Sequence, residues 1–149
     1  MTDLDAKLVF GIIATLLTIF GYLPYLRDMF ARKTKPHLYT WLIWALTQGT
    51  ATAILIHGGG KYGGLSLMVG TLFVLIIFGF SFAYGTKNVT KSDTITLLVA
   101  LLAILVWWQL HNPLMALIMV TAIDATAFIP TIRKSFQEPW TETLSFWFL

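Results

Sequence analysis

The 149-residue sequence contains no cysteine, which excludes disulfides, thiol nucleophiles and thiolate metal sites. It is poor in charge as well. Only 11% of its residues are Asp, Glu, Lys or Arg and 57% are hydrophobic, against about 25% and about 45–50% in a typical soluble domain. So few charges cannot cover the surface of a water-soluble globule, and the chain reads as an integral membrane protein. A basic leader is also missing. The opening "MTDLDAK" is acidic, and no small-residue cleavage site follows the first apolar run, so that run is expected to stay in place as a membrane span.

What the chain does have is a succession of apolar runs. A bilayer crossing takes about 20 helical residues, and residues 8–26, 38–57, 65–84, 94–110 and 113–132 each qualify. "LSFWFL" starts a sixth run at Leu144, where the sequence ends. The connections carry helix punctuation. Pro36 in "ARKTKPH" suits a helix start, "HGGGKYGG" is a glycine loop, Ser92 or Asp93 is expected to cap the fourth helix, and Asn112 before Pro113 the fifth.

The net charge of +3 is spread between the apolar runs rather than gathered on one face, so no nucleic-acid partner is expected. Alternate connections divide the basic residues unevenly. Arg27, Arg32, Lys33, Lys35, Lys87, Lys91, Arg133 and Lys134 fall on one side, and only Lys7 and Lys61 on the other. The positive-inside rule then places the N-terminus outside the cytoplasm, in a cell (plasma or inner) membrane. Tyr39, Trp41 and Trp44 at one edge, with Trp107 and Trp108 at the other, fit aromatic belts.

An internal repeat organises the chain. "YLPYLRDMFARKTKPHLYTWLI" (22–43) lies over "FIPTIRKSFQEPWTETLSFWFL" (128–149) without a gap, at a constant offset of 106 residues. Pro24 meets Pro130, Arg27 meets Arg133, Phe30 meets Phe136, Leu38 meets Leu144 and Trp41 meets Trp147. The offset spans four helices, so the first and fifth run in the same direction, as parallel repeats about an axis along the membrane normal. The expected fold is therefore an all-α membrane bundle of two parallel three-helix repeats joined by a linker helix. Residues 1–91 form the first repeat, 92–112 the linker and 113–149 the start of the second. This three-plus-one-plus-three plan is cut within its sixth helix, and roughly 40–50 further residues are expected at ~20 per span.

A proline near the cytoplasmic end of the first repeat helix, a basic connection and this helix plan make the chain resemble the PQ-loop family, which includes the SWEET sugar transporters. The resemblance is carried by "LPYLRDMFARKTKPHLYTWLIW" and "IPTIRKSFQEPWTETLSFW". Tyr25 and Thr131 stand where the family's glutamine would, and 65–84 holds no counterpart of the asparagine that SWEET-type proteins use for sugar. The resemblance implies a transporter that rocks one repeat against the other, with Pro24 and Pro130 as hinges.

An interior proline removes a backbone hydrogen bond at a cost of about 3 kcal/mol, which here frees the carbonyls of Phe20 and Thr126. Two such weak turns at equivalent positions suit paired hinges. Asp124 lies eleven residues past Pro113, close to the middle of a ~30 Å core. A carboxylate there costs about 2.5–3.5 kcal/mol, and intramembrane acids are functional by default. Asp124, Gln48 and Trp44 are accordingly the candidate solute- or proton-binding residues, and Arg27, Arg133 and Trp41 the cytoplasmic anchors. Ala45, Gly49 and Ala53 make a small face expected to pack tightly on another helix.

The serine-hydrolase-like strings "HGGG" and "GLSLM" need an α/β sheet that this chain cannot form, and His37, His57 and His111 lie in separate connections, so neither an enzyme nor a metal site is expected. No cofactor is called for. The expected function is transport of a small polar solute through a cavity between the repeats, with protons as a second partner, the bilayer as solvent and room for a homo-oligomer. The alternative is a membrane scaffold, sensor or lipid-binding protein that moves nothing.

Overall fold

The computed structural model describes residues 3–57, 59, 64–109 and 113–147. Most of the 58–63 loop and residues 110–112 lie outside them, and with them the expectations for Lys61, His111 and the Asn112 cap; so do the side chains of His57, Trp107 and Trp108. The described residues are all-helical, with six α-helices and no strand. These are α1 (Asp3–Phe30), α2 (Leu38–His57), α3 (Leu65–Tyr84), α4 (Lys91–Trp108), α5 (Pro113–Gln137) and a single turn α6 (Leu144–Trp147), preceded by a 3-10 turn at Pro139–Thr141. Two of them, Ala6–Phe30 within α1 and Leu65–Tyr84, are long and apolar enough to cross a membrane.

Local chemistry sets the ends. α1 stops where Arg32 takes a left-handed conformation (φ 58°), which lets the Lys33 and Thr34 amides fold back on the Asp28 carbonyl at 2.9 and 3.1 Å. α3 stops at Gly85, whose amide reaches the Ser81 carbonyl at 2.9 Å. A side chain at Gly85 would run into that carbonyl and into the carbonyl of Pro36. The fourth helix is capped differently from expectation. Thr90, not Ser92 or Asp93, is the N-cap: its hydroxyl accepts from the Asp93 amide at 3.3 Å and its own amide donates to Asp93 Oδ2 at 2.8 Å. This reciprocal pair is a capping box.

α3 packs between α1 and α2, α5 packs between α2 and α4, and α6 rests on α1. The C-terminal ends of α1 and α5 share one end of the bundle. Thr143, just beyond α5, donates to Asp28 of α1 at 3.2 Å, and Lys134 of α5 donates to the Lys35 carbonyl just beyond α1 at 2.5 Å.

Large apolar side chains are exposed along the helices, while hydroxyls are buried beside an apolar core that includes Met29, Ile43, Val74 and Ile77. Val9, Ile13, Leu16, Phe20 and Leu23 of α1 point away from the bundle, as do Leu72, Leu75 and Phe82 of α3 and Ile95, Leu98, Leu102 and Leu105 of α4. Thr40, Thr47, Thr71 and Ser81 are buried. Two expectations fail here. Trp41 and Trp44 do not form an outward belt: they are 1% and 7% exposed, because they join an aromatic cluster that includes Tyr25, Phe146 and Trp147. The small face of α2 does not seat a neighbour at its centre either, since a Cβ on Gly49 would meet nothing within 4 Å.

Candidate functional site: a polar chamber above an ionic floor

α1, α2, α3 and α5 line an open cavity of about 370 Å³ whose polar lining comprises Thr18, Tyr22, Thr47, Gln48, Ser66 and Asp124. α1, α2 and α5 contribute from well inside their apolar runs, and α3 contributes Ser66 from its first turn, so the hydroxyls of neighbouring helices meet. Thr18 and Ser66 share a hydrogen bond at 2.7 Å, tying α1 to α3. Thr52 and Thr71 do the same between α2 and α3 at 2.7 Å. Thr47 donates to Asp124 Oδ1 at 2.6 Å, tying α2 to α5. Gly70 keeps the space open: a Cβ there would stand 3.7 Å from both Gln48 Oε1 and Thr18 Cγ2.

A second cavity of about 380 Å³ adjoins the first and shares Tyr22, Gln48 and Asp124 with it. Its remaining walls are Trp44, Phe128, Phe146 and Trp147. The rings pack edge-to-face or tilted, with centroids 4.9 Å apart for Trp44 and Phe128, 5.0 Å for Phe146 and Trp147, and 5.0 Å for Tyr22 and Phe146. Asp124, Gln48 and Trp44, singled out separately in the sequence, thus meet at one place. Thr18, Tyr22 and Ser66 were not singled out. Their signal was hydroxyls inside otherwise apolar runs.

Beyond the aromatic layer lies an ionic floor. Arg133 grips Asp93 with two hydrogen bonds, Nε to Oδ1 at 2.9 Å and Nη2 to Oδ2 at 2.6 Å, and also reaches the Asn88 carbonyl at 2.7 Å. Burial alone would raise the Asp93 carboxyl, but the hydrogen bonds from Arg133 and Thr90 outweigh it and hold the group below its ordinary value. His37, fully buried, places Nε2 3.4 Å from Asp93 Oδ2, yet neither ring nitrogen meets hydrogen-bond geometry. Burial pushes its pKa down, and the attraction of Asp93 does not restore it.

Lys134 is also fully buried. Its ammonium uses three donors on three acceptors, the carbonyls of Lys35 and Thr141 and the Glu142 carboxylate. Burial lowers the Lys134 pKa and raises that of Glu142, with each partner's charge opposing the shift.

The two arginines among the predicted anchors differ. Arg27 is exposed and, among the described residues, pairs with its neighbour Asp28 at 3.1 Å, while Arg133 holds three elements together. Pro24 and Pro130 both sit inside unbroken helices, on the floor side of the chamber. A further groove of about 420 Å³, almost wholly apolar, runs along α5 and α6 past Phe136. Among the described residues no group of His, Asp and Glu could hold a metal ion. No family model, curated protein or solved structure matches the chain.

Proposed function

We propose that this chain is an integral membrane protein of PQ-loop-like plan that carries a small polar solute through the chamber. The observation that carries the reading is the pairing of outward apolar faces with an inward polar cavity holding a carboxylate. A water-soluble bundle arranges these the other way round. A scaffold would have no need of open polar space, and the Asp124 tie to Thr47 leaves the cavity unfilled.

Contacts between the halves support the duplication. α1 packs on α6 and α5 packs on α2, the exchange a two-fold axis between equivalent helices would produce. Tyr25 meets Phe146, with ring centroids 4.9 Å apart, and their counterparts Thr131 and Thr40 meet through a 2.9 Å hydrogen bond. In this reading the basic floor faces the cytoplasm and is closed, and Pro24 and Pro130 are the weak turns about which it opens. Asp124 is the solute- or proton-binding group, present in one half only, since its counterpart is Thr18.

Proteoliposomes test this. The parent chain is expected to take up small polar solutes and to respond to an imposed pH gradient, and Asp124→Asn to lose that response. Uptake no faster than in protein-free liposomes would contradict transport. A full pH response in Asp124→Asn would remove the coupling role.

A further inference from the structure

The chamber joins a carboxylate to a wall of aromatic rings with no positive side chain on it. Among the described residues, neither cavity is lined by Lys, Arg or His. The nearest base along α5 is Arg133, nine residues beyond Asp124, or about 13 Å at 1.5 Å per residue, and its guanidinium is held in the floor by Asp93, Gln137 and the Asn88 carbonyl. Among the described residues, Asp124 receives one side-chain hydrogen bond, from Thr47. A carboxylate at this depth with no ionic partner requires a proton or a cationic ligand.

The aromatic cavity says which kind of cation. Tyr22, Trp44, Phe128, Phe146 and Trp147 border the same space as Asp124. Faces of such rings attract cations through their quadrupoles, and aromatic cages are the recurring solution for alkylated ammonium groups, whose methyls need apolar walls. A small, strongly hydrated metal ion would want several oxygens in place of rings. An anion would find no positive partner here. At about 380 Å³ the space lies near the lower end of ligand pockets, roughly 300–1,000 Å³, which fits a small molecule. The hydroxyl and amide groups of Thr18, Ser66 and Gln48 in the adjoining cavity suit a short polar tail.

We infer that the solute bound in this chamber is a small organic cation, an alkylammonium group seated among Trp44, Phe128, Phe146 and Trp147 with Asp124 as counter-ion and a polar tail toward Thr18, Ser66 and Gln48. The inference rests on the transport reading above and narrows its substrate class.

The test uses the full chain in lipid nanodiscs with radiolabelled choline as probe. Unlabelled competitors are choline, its uncharged carbon isostere 3,3-dimethylbutan-1-ol, and xylitol. Choline is expected to compete at least about tenfold more strongly than the isostere, since the two differ in charge and hardly in shape. Asp124→Asn is expected to weaken choline binding at least about tenfold. Phe128→Leu, which leaves the carboxylate in place, should weaken it several-fold, and Asp124→Glu should restore part of the loss. Each variant is checked for an unchanged elution profile, so loss of fold is not read as loss of binding.

If the isostere competes as well as choline, or Asp124→Asn binds choline as tightly as the parent, the cation assignment is overturned while the polar-solute reading stands. Xylitol uptake into proteoliposomes without displaceable choline binding has the same consequence. Absence of both binding and uptake overturns both.

Discussion

Lys35 and Thr141 stand 106 residues apart, at matching positions of the aligned segments 22–43 and 128–149, and the Lys35 amide donates to the Thr141 carbonyl at 3.0 Å. Equivalent residues touch each other where a two-fold axis passes between them. Lys134 binds both of their carbonyls, at 2.5 and 3.0 Å. The proposed axis therefore runs through the ionic floor, and the floor is where the halves must part if the chamber opens to that side. The predictions that follow concern the floor, the hinges and the chamber.

Asp93 and Arg133 form a bidentate pair, 1% and 20% exposed at their side chains. Removing one partner of a buried pair costs roughly 3–5 kcal/mol, and the partial exposure of Arg133 places Arg133→Gln at or below the lower end. Arg133→Gln combined with Asp93→Asn is expected to be more stable than the sum of the two single losses. A double-mutant cycle by thermal unfolding in detergent measures the coupling, and strict additivity would show that the pair does not act as a unit.

His37 gives the floor a pH dependence. Its folded pKa lies below the ordinary 6.5 because burial disfavours the charged ring. Asp93, Arg133 and Lys134 are the charged groups acting on it. The unfolded chain therefore binds the proton more readily, and stability falls as pH drops from 6.5 towards the folded pKa. Asp93 is depressed below 3.8, so its contribution is lost only at more acidic pH. Unfolding midpoints between pH 8 and 5 should decline in the parent and decline less in His37→Gln. An identical slope would assign the titration elsewhere.

Gly70 separates space from stability. Alanine there would make ordinary contacts at 3.7 Å with Gln48 and Thr18, so Gly70→Ala should change the melting temperature by no more than about 2 °C, an effect within the ±0.5 kcal/mol of a neutral substitution. Gly70→Leu should fill the chamber and cut solute binding at least about tenfold. Equal binding by the leucine variant would place the ligand elsewhere.

The prolines make the third contrast. Pro24→Ala and Pro130→Ala each restore a backbone amide inside an otherwise continuous helix, so neither should lower stability much, and both together should slow uptake more than either alone. Paired-site transport rates against melting temperatures decide this. Unchanged rates in the double variant would make the prolines packing features only.

Much of the helix plan was legible, because unbroken apolar runs fix helices one by one. α2 and α3 match the runs 38–57 and 65–84, whereas α1 and α5 continue past theirs, to Phe30 and Gln137, since a helix need not stop where its apolar stretch does. Asp124 was legible as a charge within an apolar run. The floor was not: Asp93 and Arg133 lie forty residues apart, and either alone reads as a cap or a topology signal. The burial of Trp41 was hidden for a related reason. Belt and core tryptophans look alike until Phe146, more than a hundred residues away, is in place against Trp41.

The most direct measurement exploits the absence of cysteine, which makes any introduced thiol unique. Ser66→Cys and Gln48→Cys, in the chamber, and Leu17→Cys and Leu102→Cys, on the outer apolar faces, are reacted in sealed membrane vesicles with a water-soluble, membrane-impermeant maleimide. An inside-out membrane carrier predicts labelling of the chamber pair and protection of the outer pair. Labelling of Leu17→Cys and Leu102→Cys with an unreactive chamber would contradict it.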